Sequence, residues 1–144
     1  MAYKVEIRGE GAQITLVLGE ESHGIESLAG YEDDLVPCRI SLKVDPWIGY
    51  LRTTFELRKI EAFSRHLDLA VAALSGEAEL ISLEDDFGLI IILDKGKAKV
   101  KGNAGSIAQC ITEFSFEFAS DQSYLTPLSR QLSALILSGR ERLD

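Results

Sequence analysis

The stretch from Phe114 to Leu125 constrains the fold most, because a strand pattern runs into helix-start chemistry with almost no loop between. Cys110, Thr112, Phe114, Phe116 and Phe118 share one parity of a two-residue period, so they line one face of a long strand and turn three phenyl rings inward. Asp121 or Ser123 then supplies an oxygen that can accept the free N–H groups of a first helical turn. Pro127 fits that turn, either at the first helical position after Thr126 or as an early proline of a helix starting near Ser123. Leu128, Leu132, Leu135 and Ile136 recur on one helical face, Gly139 predicts the end, and residues 140–144 read as a polar tail. The junction therefore reads as a joint that packs the last helix onto the sheet. In it Asp121 caps, Gln122 satisfies strand-end groups, and Tyr124 buries its ring and hydrogen-bonds its hydroxyl.

Upstream, the same period-two signal recurs. Tyr3, Val5 and Ile7 alternate with charged residues, and Gly9-Glu10-Gly11 turns the chain into Gln13–Leu18, a first hairpin. Residues 19–35 are rich in Glu, Ser, Gly and Asp, which predicts a loop long for so small a chain. Val36, Cys38, Ile40, Leu42 and Val44 then form one face of a strand ended by Pro46, with Pro37 pointing to a sheet edge or a start outside the ladder. Trp47 to Phe55 is the returning strand. From Leu57 the period becomes helical through Ile60, Phe63, Leu67, Val71 and Leu74, and Ser75-Gly76 supplies the stop, glycine entering the left-handed conformation.

Three strands follow: Glu77–Leu83, then Phe87–Leu93, apolar on both faces and so expected to be central and covered on each side, then Lys97–Gly102. Lys97, Lys99 and Lys101 line one face of the last of these. A solvated face guarded against edge-to-edge pairing explains them, because no interleaved aromatics offer stacking platforms for nucleic-acid bases. No internal repeat, low-complexity tract or linker is visible. The order strands, helix, strands, helix with hairpin connections predicts a single α+β domain over residues 1–144. It comprises an antiparallel sheet of about eight strands, strongly curved or two-layered, with two amphipathic helices packed on it, the second C-terminal.

Charge and composition exclude several function classes. Lys and Arg total 15 against 23 Asp and Glu, a net charge of −8, so a phosphate backbone is repelled and a basic partner is favoured. Glu6, Arg8 and Glu10 interrupt the N-terminus where a signal peptide needs an apolar run, and no window approaches a membrane helix, so a cytoplasmic location is expected. The two cysteines, Cys38 and Cys110, fall on apolar parities and read as buried thiols. With only His23 and His66 as imidazoles and no metal-ligand spacing, neither a metal nor a cofactor is expected. No nucleophile elbow or phosphate cradle occurs, and no carboxylate pair stands out, which argues against an enzyme.

What remains is an acidic surface. Glu20 and Glu21, the triplet Glu32-Asp33-Asp34 and the triplet Glu84-Asp85-Asp86 sit in predicted turns and lack the spacing of a calcium loop. They read either as solvated turns or as a contact surface for a basic partner. A small-ligand binder is the alternative, with Trp47, Tyr50, Phe55 and Phe114 closing a pocket.

The run Leu74-Ser75-Gly76-Glu77-Ala78-Glu79-Leu80, then Leu83-Glu84, Val100-Lys101-Gly102, Phe114-Ser115-Phe116 and Asp121-Gln122-Ser123-Tyr124-Leu125-Thr126-Pro127 resembles the WapI-type bacterial immunity proteins and their relatives. The resemblance covers roughly residues 31–137, and where many members carry Asn-Trp before the third strand this chain has Asp34-Leu35. It implies a small, non-enzymatic cytoplasmic protein that binds and neutralises a toxin domain, with the acidic turns as the expected contacts. Oligomeric state is not readable from the sequence.

Overall fold

The computed structural model describes residues 3–19, 35–106 and 112–143, with side chains as far as residue 136 except that of Ser106. Eight strands form two four-stranded antiparallel sheets, each a simple meander. Sheet 1 contains β1 (Tyr3–Gly9), β2 (Ala12–Leu18), β3 (Leu35–Val44) and β4 (Trp47–Glu56), and helix α1 (Leu57–Ala73) follows directly. Sheet 2 contains β5 (Ser75–Ile81), β6 (Phe87–Asp94), β7 (Lys97–Ser106) and β8 (Thr112–Asp121), and helix α2 (Gln122–Leu143) follows directly. The fold is α+β.

The sequence has no visible repeat, yet the architecture has one: four strands and a helix, twice. The two halves are joined in equivalent ways. The N–H of Glu10, just after β1, donates to the carbonyl of Ala119 near the end of β8 at 2.8 Å, and the N–H of Leu83, just after β5, donates to Thr54 near the end of β4 at 2.8 Å. The residue before β2, Gly11, accepts from Asp45 at 2.9 Å, and the residue before β6, Asp86, accepts from Gly105 at 2.9 Å. Each helix packs on the first strand of the opposite half, α1 on β5 and α2 on β1, and the helices pack on each other. Shared period-two and helical patterning is enough to produce this repetition, because architecture follows burial pattern rather than residue identity.

One continuous core results. Val5, Ile7, Ile14, Leu16 and Leu18 from the first hairpin meet Leu80, Phe87, Leu89 and Ile91 from sheet 2, with Ile60, Phe63 and Leu67 of α1 and Leu125, Leu128 and Leu132 of α2 closing it. Phe55 and Phe87 meet edge to face in this core, their ring centroids 6.1 Å apart. Phe114, Phe116 and Phe118 stack along β8 at 6.0 and 6.2 Å. The positions on β7 beside the first two rings are correspondingly small: Ala104 lies opposite Phe114 and Gly102 opposite Phe116, and a Cβ built on Gly102 would sit 2.5 Å from the Phe116 ring.

Several expectations require correction. The left-handed residue ending α1 is Leu74, with φ 58° and ψ 22°, while Gly76 already lies in β5. Helix α2 continues through Gly139 to Leu143, since the helical pattern before it carries the turn past a single glycine. Pro127 sits in the second turn of α2 rather than the first, and the Thr126 hydroxyl bonds the Gln122 carbonyl at 2.9 Å beside it. Pro37 lies within β3 opposite Thr54, one residue past the end of the β2 ladder, where its carbonyl still accepts the Gly19 N–H. Strand β7 is interior, between β6 and β8, so its lysines guard no edge. Strand β6 is interior as expected, but Ile90 and Ile92 on its outer face are only half-buried. In register beside them lie Glu79 and Lys101, and Glu77 and Lys99, whose aliphatic stems shield them in place of a second layer. The predicted 19–35 loop, Cys110 and His23 lie outside the described residues, Gly19 and Leu35 excepted.

Candidate functional site

The expected acidic contacts divide into two groups. Glu20, Glu21, Glu32, Asp33 and Asp34 lie outside the described residues. Glu84, Asp85 and Asp86 form the turn between β5 and β6, where Glu84 and Asp85 are exposed and Asp86 is half-buried. Asp85 takes a positive φ of 59°, a conformation that aspartate tolerates better than most residues.

Asp86 has a structural task within that turn. Its Oδ1 accepts the Thr53 hydroxyl at 2.5 Å and the Ser82 hydroxyl at 2.6 Å, and Ser82 Oγ in turn accepts the Phe87 N–H at 3.0 Å. The carboxylate thus ties sheet 2 to the end of β4. Glu84 and Asp85 project from a rigidly held turn, which is the geometry a charged contact needs in order to be presented at little entropic cost.

At the strand-to-helix joint Asp121 is the cap. Its Oδ1 accepts the Ser123 N–H at 2.8 Å, the Ser123 hydroxyl at 2.5 Å and the Tyr124 N–H at 3.3 Å. The Ser123 hydroxyl above all holds its carboxyl below the ordinary aspartate range against the opposing effect of desolvation, and the Ser123 and Tyr124 N–H groups add to the lowering. Gln122 serves through its backbone, donating to the Gly96 carbonyl at 2.9 Å. Tyr124 departs from expectation: it is 38% exposed rather than buried. A cap of this kind aims the first helical turn outward, and the next residue, Leu125, takes the core position instead.

The aromatic set of the small-ligand alternative is separated. Phe55 is fully buried in the core, whereas Trp47, Tyr50 and Phe114 line an open groove of about 320 Å³ at the far end of β4. His66 is exposed on α1. Cys38 is buried, and burial pushes its thiol up to about 12. Among the described residues no group of His, Cys, Asp and Glu is placed to hold a metal ion, and no helix is long and apolar enough to cross a membrane.

Sequence reasoning overlooked the tie between the helices, in which Asp68 of α1 accepts the hydroxyls of Ser129 and Ser133 on α2. Helical spacing places Ser129 and Ser133 on one face, but nothing in the sequence pairs that face with Asp68. It also overlooked the outer face of sheet 1, which combines basic side chains with Ile48 and Tyr50.

Two meanders, each running directly into a helix, enclose one core with charged turns at the surface, and together they define a domain of α+β class. The chain belongs to the Immunity protein WapI-like family, whose sequence model matches residues 5–138. That match begins well before residue 31, so the first hairpin belongs to the family pattern as well. No curated protein and no solved structure matches the chain.

Proposed function

We propose that the protein neutralises a toxin by stoichiometric binding, without catalysis or cofactor, in the cytoplasm. Membership of an immunity protein family across nearly the whole chain is the observation that carries this reading. The contact surface in this reading is acidic and the partner basic: a net charge of −8 and the exposed Glu84 and Asp85 on their fastened turn support it. Glu20, Glu21, Glu32, Asp33 and Asp34 are further acidic contacts in this reading. Complementary charge accelerates encounter and makes association fall with salt.

The test is co-purification with the polypeptide encoded beside it, followed by calorimetry of the isolated pair. A complex of equal stoichiometry whose association slows in salt, and slows further in the Glu84→Lys/Asp85→Lys double variant, is expected. Failure to retain any partner at low salt, together with no protection of cells from the neighbouring toxin, would refute the reading.

A further inference from the structure

The two sheets end in equivalent strands, β4 and β8, and their free edges differ in chemistry. Backbone groups along a strand point alternately to either side. The Thr54 carbonyl turns away from β3 to accept the Leu83 N–H, so Arg52, Tyr50 and Ile48 also turn their N–H and C=O groups away from β3. By the same parity Ala119, bonded to Glu10, marks Glu117, Ser115 and Glu113 as the open edge of β8. Carboxylates therefore flank the β8 edge, and Glu117 is further engaged by Lys101 at 3.5 Å and Lys99 at 3.9 Å.

The β4 edge has no such guard. Ile48, Tyr50 and Arg52 receive no backbone hydrogen bond there from any described residue. Beside it Trp47, Ile48 and Tyr50 are 64%, 63% and 81% exposed, a cluster of the residue types that anchor protein interfaces. The groove shared with Phe114 runs alongside.

Charge identifies what fits. The outward positions of sheet 1 carry Lys4, Arg8, Arg39, Lys43 and Arg52, and only two acids, Glu6 and Glu56. Both acids are engaged: Glu6 pairs with Lys4 and Arg8, and Glu56 with Arg58. Lys43 and Arg52 have no acidic partner among the described residues. The whole chain is acidic, so this basic face is a local exception to the average field.

We propose that the β4 edge is a docking site for an extended segment of a partner protein, bound as a fifth strand of sheet 1. The segment alternates carboxylates with apolar residues over about five positions, the length from Ile48 to Arg52. Its carboxylates lie on the outer face beside Lys43 and Arg52, and its apolar side chains enter the groove between Trp47 and Phe114. A second copy of this chain fits less well, because pairing β4 with β4 would bring two basic faces together. The inference stands whether or not the acidic turns bind a toxin.

The full chain itself supplies the probe, since Trp47 is the single tryptophan. A capped peptide of alternating Glu and Val, its Lys-for-Glu counterpart and a single-stranded oligonucleotide are titrated separately while Trp47 emission is recorded. Saturable, salt-sensitive blue-shifting by the Glu peptide, at least about fivefold weaker with the Lys peptide, is expected. Tyr50→Pro removes the outward N–H at a position where an edge strand tolerates proline, and should abolish the response with secondary structure unchanged by circular dichroism. Arg52→Glu, which leaves the edge intact, should reverse the peptide preference. No response to the Glu peptide, equal response to both peptides, or binding of the oligonucleotide instead overturns the proposal. So does a concentration-dependent dimer that Tyr50→Pro dissolves, which would assign the edge to a second copy.

Discussion

The Thr53 hydroxyl donates to Asp86 Oδ1 at 2.5 Å, so a carboxylate from the turn between β5 and β6 is fastened to the last stretch of β4. Within the triplet Glu84-Asp85-Asp86 this separates the residue that holds the structure from the two that face solvent. Asp86→Ala should lower stability in urea by about 1.5–3 kcal/mol, the range for hydrogen bonds to a charged group, because Thr53 and Ser82 both lose their acceptor. Glu84→Ala should stay within about 0.5 kcal/mol of the parent, and so should Asp85→Asn, which keeps at the positive φ of that position a residue type that tolerates it. Equal losses at all three positions would contradict the division.

The cap at Asp121 carries a pH signature. Its carboxyl is held below its ordinary value of 3.8 in the folded state, so its contribution is complete above that value and is lost as the pH falls through the lower folded value. Asn caps as well as Asp but does not titrate. Melting temperatures of the parent and Asp121→Asn should therefore converge as the pH is lowered through the acid range, whereas Asp121→Ala should melt lower than the parent at neutral pH. A constant gap between parent and Asn variant across the range would argue against the assignment.

Gly102→Ala tests the fit between β7 and the phenyl column of β8. The added methyl would meet the Phe116 ring and the Gly88 carbonyl at 2.5 Å each. Overpacking of this kind costs about 1–3 kcal/mol, and the loss should shrink in a Gly102→Ala/Phe116→Leu double variant, measured by denaturant midpoint.

Cys38 gives a reading of global opening. With burial pushing its thiol up to about 12, the thiolate is scarce and unreachable in the native state. In a Cys110→Ser background, a disulfide reagent at mildly alkaline pH should label Cys38 only at the rate of unfolding, and at once in denaturant. Rapid labelling of the native protein would show the first sheet to be looser than its packing implies.

Legibility in the sequence followed how local the cause was. Ile40 and Leu42 face the core because each is apolar while Arg39, Ser41 and Lys43 beside them are not, and that contrast is written residue by residue. The Phe114, Phe116 and Phe118 column was readable for the same reason. Which strand neighbours which is a long-range matter, so the lysines of β7 looked like an edge guard while β8, sixteen residues on from Lys97 to Glu113, holds that place. Leu74 was missed as the left-handed residue because Gly76 advertises that conformation and the geometry of β5 required it earlier. Asp86 looked like its two acidic neighbours, since nothing near it in sequence reveals that Thr53 lies within reach. The β4 docking edge was hidden because the net charge of −8 averages over a face with the opposite sign.

The bond from Glu10 to Ala119 and the packing of α2 on β1 have a consequence for biosynthesis. Strand β1 finds its closing neighbours only in β8 and α2, elements translated long after it. Sheet 1 can assemble as a local meander during translation, but its open side stays exposed until the C-terminal helix has emerged, and sequence-distant closure is the slow kind. A truncated chain lacking α2 would leave the apolar side of β1 uncovered, so a ribosome stalled before that helix holds a half-finished and adhesive protein.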